Sequence, residues 1–159
     1  MLTVDQRKEL INKMRELPGQ LETVVHGLDD AQLDTPYGPG KWTPRQVVHH
    51  LADSHMNALI RMKLVIAEDN PVLKGYNQDD WAKFEDASKL PIGSSLAIVR
   101  GVHERLVHML EHAKDSDFKR VGLHSERGEI TLDDLITTYG RHGEKHCGHI
   151  NGLRTVKGW

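Results

Sequence analysis

Apolar positions recur every three or four residues in four stretches of the chain, the pattern of helices that each bury one face. In the first stretch, Leu10, Met14, Leu17, Leu21, Val24 and Leu28 form one stripe. Thr3 and Gln6 stand before it at the spacing of a capping box, so a helix is predicted over residues 4–27. A turn-rich segment, Thr35-Pro-Tyr-Gly-Pro-Gly40, follows. The second stripe is Val47, Leu51, His55, Ala58, Met62 and Val65, opened by Thr43 as cap, Pro44 in the first turn and Gln46 closing the box. It predicts a helix over 44–67.

Between Glu68 and Gly93 the periodicity fades, and Asn70-Pro71, Lys74-Gly75 and Leu90-Pro91 break the chain. A connection this long can cross the bundle and leave the second and third helices parallel, with Trp81 and Phe84 tacking it to the body. Ser94 or Ser95 is placed to cap a third helix over 95–113, whose inner face reads Leu96, Val99, Val102, Leu106, Leu110 and Ala113. A short hairpin is predicted around Ser125-Glu-Arg-Gly128. Thr131 and Asp134 open the last helix, over 132–156, with the stripe Leu132, Leu135, Tyr139, His142, His146, His149 and Leu153. The expected architecture is all-α: a four-helix bundle with a long crossover between helices two and three.

Composition narrows this frame. The 159 residues suit one domain, 1–159, with a sizeable core. Hydrophobic residues at 38% and charged residues at 28% place the chain among globular proteins. A net charge of -2 with no basic run argues against a nucleic-acid partner. No run nears the roughly 18 apolar residues of a membrane span, and MLTVDQRKELINKM lacks the apolar core of a signal peptide. The single cysteine, Cys147, cannot form an intrachain disulfide, which points to the cytoplasm.

Eleven histidines are the compositional outlier, and position decides which of them matter. On the last stripe, Leu132, Leu135 and Tyr139 define a buried face that continues through His142, His146 and His149. Buried imidazoles without partners are costly, so three on one face call for partners, and a metal ion satisfies them. Residues four apart on a helix lie about 6 Å apart and can converge on one ion. His108 and His112 have the same spacing, but at about 100° per residue they fall opposite Leu106 and Leu110, on a solvated face. Glu144 lies two residues past His142 and should face solvent, so the pair brings no general base of the zincin kind. Another ligand must come from the second helix. Periodicity points His55 inward, sets His50 at the edge of the stripe and turns His49 outward, so it favours His55 with His50 second. Cys147 is rotated about 100° from His146 and reads as a small packing residue.

Two stretches, Trp42-Thr-Pro-Arg-Gln-Val-Val-His-His50-Leu-Ala-Asp53 and His142-x3-His146-Cys-Gly-His149-Ile150, resemble the DinB/YfiT-like superfamily. Leu33-Asp-Thr-Pro-Tyr37 and the run from Val47 to Asn57 resemble its YfiT-like branch more narrowly. The resemblance spans roughly Leu2 to Trp159. It implies a bundle that is often dimeric, hence a homodimer, and one divalent metal ion, zinc or another transition metal such as nickel. It maps the ligands onto His50, His142 and His146, overruling the periodicity choice of His55, and leaves His149 to packing beside the centre. A Tyr-Pro-x-Gly-like segment that precedes the first helix in YfiT-like proteins has no counterpart here, so substrate choice is expected to differ. Three neutral histidines leave a fourth position open, the pattern of a catalytic zinc site. A water activated there implies a metal-dependent hydrolase of small molecules. A thiol bound there implies an S-transferase using a low-molecular-weight thiol such as bacillithiol. A non-catalytic metal-binding stress protein is the reading from a different class. Ser54, Asn57 and Arg61 follow His50 along one side of the helix, where Arg61 is placed to bind a substrate carboxylate.

Overall fold

The computed structural model describes residues 1–159. Four long helices form the body: α1 (Val4–Val25), α3 (Pro44–Ala67), α6 (Gly93–Glu111) and α7 (Leu132–Lys157). Capping boxes at Thr3, Thr43 and Thr131 start three of them, satisfying amide donors that the first turn otherwise leaves unpaired. α1 stops at Val25 because His26 is no longer helical and Gly27 takes a positive φ of 76°. α6 starts earlier than Ser94 or Ser95 would have it. Ile92 is its cap residue without a side-chain bond, and the Ser95 hydroxyl is used elsewhere.

Shorter elements fill the connections: α2 (Asp30–Leu33), α4 (Gln78–Trp81), α5 (Glu85–Ser88) and a 3-10 turn over Asp117–Lys119. Each is too brief to leave a period in the sequence. The predicted hairpin is present as β2 (Val121–His124) and β3 (Gly128–Thr131), and β1 (Val72–Leu73) adds a parallel third strand against β2. The crossover is anchored by buried Leu73, Ala82 and Ala87. Trp81 packs against Tyr76, the rings tilted by 33° with centroids 4.2 Å apart. Phe84 does not tack the segment down; it is 57% exposed, because α5 turns its buried face through Ala87 instead.

Side-chain pairs fix the helix directions. Arg7 pairs with Asp133 and Arg154 donates to the Val24 carbonyl, so α1 and α7 run parallel. Arg15 with Glu111 and Arg100 with Glu22 make α1 and α6 antiparallel. His49 with Ser95 and His55 with His103 make α3 and α6 parallel, as the long crossover requires. The order is thus up, down, down, up.

The apolar core falls into two parts. One is built around Met14, Met62, Leu106 and Ile136. The other is built around Leu21, Leu51, Val99 and Ile150. The seam between them is crossed by histidines: His55 lies between Ala52 and Ala58, His103 beside Val102, and His142 and His146 between Tyr139 and Ile150. The parallel pair α1 and α7 approach closely at Gly140 and Gly143, which sets the depth of that seam. A Cβ on Gly143 would stand 2.2 Å from Leu17 Cδ1 and 2.8 Å from its Cγ. Gly143→Ala is therefore expected to cost about 1–3 kcal/mol through overpacking, read as a lower urea midpoint; an unchanged midpoint would mean that Leu17 repacks freely.

Candidate metal centre

α7 presents His142 and His146 one turn apart, on the edge of its buried face nearest α3. The centre of that face is lower in bulk than the stripe suggested: Gly140, Gly143 and Cys147 pack there. α3 presents His50 antiparallel to α7. The His50 and His142 Nε2 atoms stand 3.3 Å apart, and those of His146 and His142 stand 3.1 Å apart. All three donor atoms lie within 4.8 Å of one another. Two ligands of a tetrahedral zinc ion with bonds of about 2.0–2.1 Å stand roughly 3.3 Å apart, so the two edges that meet at His142 have the length of a coordination face, and the third, from His50 to His146, stays within 4.8 Å.

The donor chemistry fits as well. A metal needs neutral imidazoles with a free lone pair. Burial pushes the His50 ring down to about 3, helped by the neighbouring His142. Burial, aided by Lys145, pushes His142 down to about 4, and burial with His142 and His50 pushes His146 down to about 2. All three are uncharged at neutral pH. His146 Nδ1 is buried with no protein partner, so no fold contact dictates which of its nitrogens carries the proton.

His55 is fully buried, and its Nε2 lies 3.2 Å from His142 Nδ1. The inward orientation read from periodicity is thus what the structure has, but the ring sits behind the cluster rather than in it. His103, which the sequence reading passed over, is 1% exposed and lies 2.8 Å from His55 Nδ1 through Nε2. Its place between Val102 and Leu106 on the α6 stripe was the signal that could have found it.

The other histidines are less central. His149 stacks on Tyr37 at 4.6 Å and meets His146 edge-on. His108 and His112 are exposed. His49 is not solvated, as its rotation from Leu51 implied, but 5% exposed. The segment before α6 covers it: His49 Nε2 donates to the Leu90 carbonyl and Nδ1 accepts from the Ser95 hydroxyl.

Above the cluster opens a cleft of about 680 Å³, lined by His142, His146 and His149 and by Tyr37, Trp42, Gln46 and Asp79. Lys41, Lys83 and Lys145 complete its rim. The turn-rich segment supplies one wall, with Trp42 4.7 Å from the His50 ring and parallel to His146. Glu144 is exposed and pairs with Lys13, away from the cleft. Burial pushes the Cys147 thiol up to about 11, so it stays protonated and is a poor ligand or nucleophile.

Along α3, Asn57 is half-buried and donates to the Asp53 carbonyl of its own helix. Arg61 is buried and donates to the Tyr139 hydroxyl and the Lys74 carbonyl. Its Nε has no partner. Asp53, three residues past His50, is raised to about 6 by burial and then by Asp86. It ends the Trp42–Asp53 stretch that carries the resemblance, but neither spacing nor periodicity singles it out.

The family model described as the DinB superfamily matches residues 13–150. The chain belongs to the DinB superfamily. Among its relatives, a protein of Oceanobacillus iheyensis named "Putative metal-dependent hydrolase" is 44% identical over 151 residues, covering 95% of this chain and 87% of the relative. A protein of the same name from Bacillus mycoides is 43% identical over 149 residues, covering 94% of this chain and 86% of its own. The structure of YfiT from Bacillus subtilis, described as "a probable metal-dependent hydrolase with an unusual four-helix bundle topology", superposes with a TM-score of 0.96 at 38% identity. That match covers all of this chain and 91% of YfiT. This DinB-superfamily chain therefore shares the YfiT bundle along its whole length, with no helix long and apolar enough to cross a membrane.

Proposed function

We propose that this protein is a metal-dependent hydrolase that binds one divalent ion, of zinc type, on His50, His142 and His146 and cleaves a small molecule. The observation that carries the reading is the convergence of three neutral Nε2 atoms beneath a cleft. The cluster has three protein members and no fourth, the donor number of catalytic rather than structural zinc. An ion held there polarises a carbonyl or phosphoryl oxygen and lowers the pKa of water.

The chain's own residues do the rest. Trp42 and Tyr37 wall the cleft and limit water around a bound substrate. Gln46 and Lys145 offer donors to its polar groups. Arg61, buried without a carboxylate partner, is the group we assign to a substrate anion, with Asn57 beside it on the same helix, although neither is among the residues that line the cleft. Asp53, held near neutrality, is suited to move a proton.

One observation favours a second chemistry on the same site. Lys41, Lys83 and Lys145 line the cleft against a single carboxylate, Asp79, and positive surroundings stabilise a thiolate. That supports transfer from a low-molecular-weight thiol such as bacillithiol. Incubating the metal-loaded protein with an activated ester, with and without such a thiol, separates the two. Hydrolysis predicts turnover without thiol that a chelator abolishes. Turnover only with thiol would replace hydrolysis by transfer, and no turnover in either arm would leave a non-catalytic metal-binding protein. We also propose a cytoplasmic homodimer, for which sedimentation should give twice the 18.0 kDa chain mass.

A further inference from the structure

We infer that the fold presets the tautomer of one metal ligand from a distance: Pro18 frees the Met14 carbonyl, and His103 and His55 carry its polarity to His142. Pro18 lies inside α1. Proline has no amide hydrogen, so the carbonyl four residues earlier, on Met14, loses its helical donor. A buried carbonyl left without a donor is costly. His103 fills the vacancy, its Nδ1 lying 2.6 Å from Met14 O.

From that contact every proton in the chain is determined. A carbonyl only accepts, so His103 donates from Nδ1. With His103 neutral, its Nε2 must accept, and the atom 2.8 Å away, His55 Nδ1, must be the donor. His55 Nε2 then accepts, and His142 Nδ1, 3.2 Å away, donates. His142 is left with a bare lone pair on Nε2, the atom that faces Nε2 of both His50 and His146. Three rings in sequence thus hold the Nδ1–H form, which a free histidine in water populates less than Nε2–H. The rings have no freedom to reverse: the far end of the series is a group that cannot donate. His55 and His103 are in this sense positioning residues, acting on the centre through His142. Their task has meaning only if His142 is a ligand, so the inference rests on the function proposed above.

Two measurements test it, and the first does not depend on a metal. Long-range nitrogen–proton correlation spectra of the metal-free protein should show Nδ1–H at His103, His55 and His142. Nε2–H at any of the three would overturn the series. The second is zinc affinity by competition with a chromophoric chelator. His103→Leu keeps the bulk of the ring but can neither donate to Met14 nor accept from His55. It should weaken zinc binding about 10–100-fold while helix content is unchanged; wild-type affinity in a folded variant would overturn the proposal. Pro18→Ala gives Met14 O its helical donor back. A residue that only stabilised the fold would gain from this change, whereas here the melting temperature should rise while zinc affinity falls severalfold. Equal or tighter binding would contradict the origin assigned to the polarity. If the wild-type chain bound no ion, the metal-dependent function would fail, and the tautomer pattern would still decide whether the series exists.

Discussion

Replacing His142 with alanine is expected to abolish metal binding, leaving no more than roughly a tenth of an ion per chain after gel filtration. His142 is the vertex of the cluster, 3.3 Å from His50 Nε2 and 3.1 Å from His146 Nε2. It is also where the interior hydrogen bonds reach the centre. Its loss removes one donor and leaves His55 Nε2 without a partner, so no neighbouring ring is held in place to compensate. His50→Ala and His146→Ala should lose the ion as well. His108→Ala and His112→Ala should retain it, since both rings are exposed and far along α6. His55→Ala should weaken binding without abolishing it. Elemental analysis of the purified variants reads all of these. Retention of a full ion by His50→Ala together with its loss in His55→Ala would show that the deeper ring is the ligand.

The second large effect is acid lability. His50, His103, His142 and His146 are all buried, and burial pushes them to about 3, 4, 4 and 2. An unfolded histidine titrates near 6.5, so below that pH the unfolded chain binds protons that the folded chain refuses. Stability is complete above about 6.5 and falls as pH drops toward 4. Each ring can remove at most about 1.4 kcal/mol per pH unit, and the four together at most about 5–6 kcal/mol per pH unit. A domain of this kind holds only about 5–15 kcal/mol in total. The metal-free protein should therefore unfold cooperatively between about pH 6 and 4. Circular dichroism across that range checks it; a melting temperature independent of pH would mean that the rings are solvated. Zinc should shift the transition to lower pH, because it binds the folded chain alone.

Long elements were legible because their causes are local. A threonine cap, a Gln or Asp three residues on and a stripe of leucines and valines suffice to place α1, α3 and α7 within a residue or two. α2, α4 and α5 are single turns held by the surfaces they bridge, and no period records them. Phe84 shows the limit from the other side: an aromatic in an apolar-looking segment faces solvent because its backbone turns Ala87 inward.

The site divides in the same way. That His142 and His146 share a face follows from helical spacing. That His50 meets them depends on how α3 crosses α7, which periodicity does not contain; the resemblance supplied it. Rotation put His55 inward, and there it is, one layer behind the cluster. Rotation alone turns His49 outward, but what buries it, Leu90 and Ser95, comes from more than forty residues away. His103 shows its burial on the α6 stripe, but its role depends on Met14 and His55, which only the fold brings to it.

The proposed function stands on a three-imidazole centre with one position left to solvent or substrate. X-ray absorption at the zinc edge of the metal-loaded protein reads its ligand shell. Three imidazole nitrogens at about 2.0–2.1 Å are expected, with one further light atom that exchanges when azide is added. A sulfur shell near 2.3 Å, which would bring in Cys147, or a fourth imidazole that azide cannot displace, would contradict it.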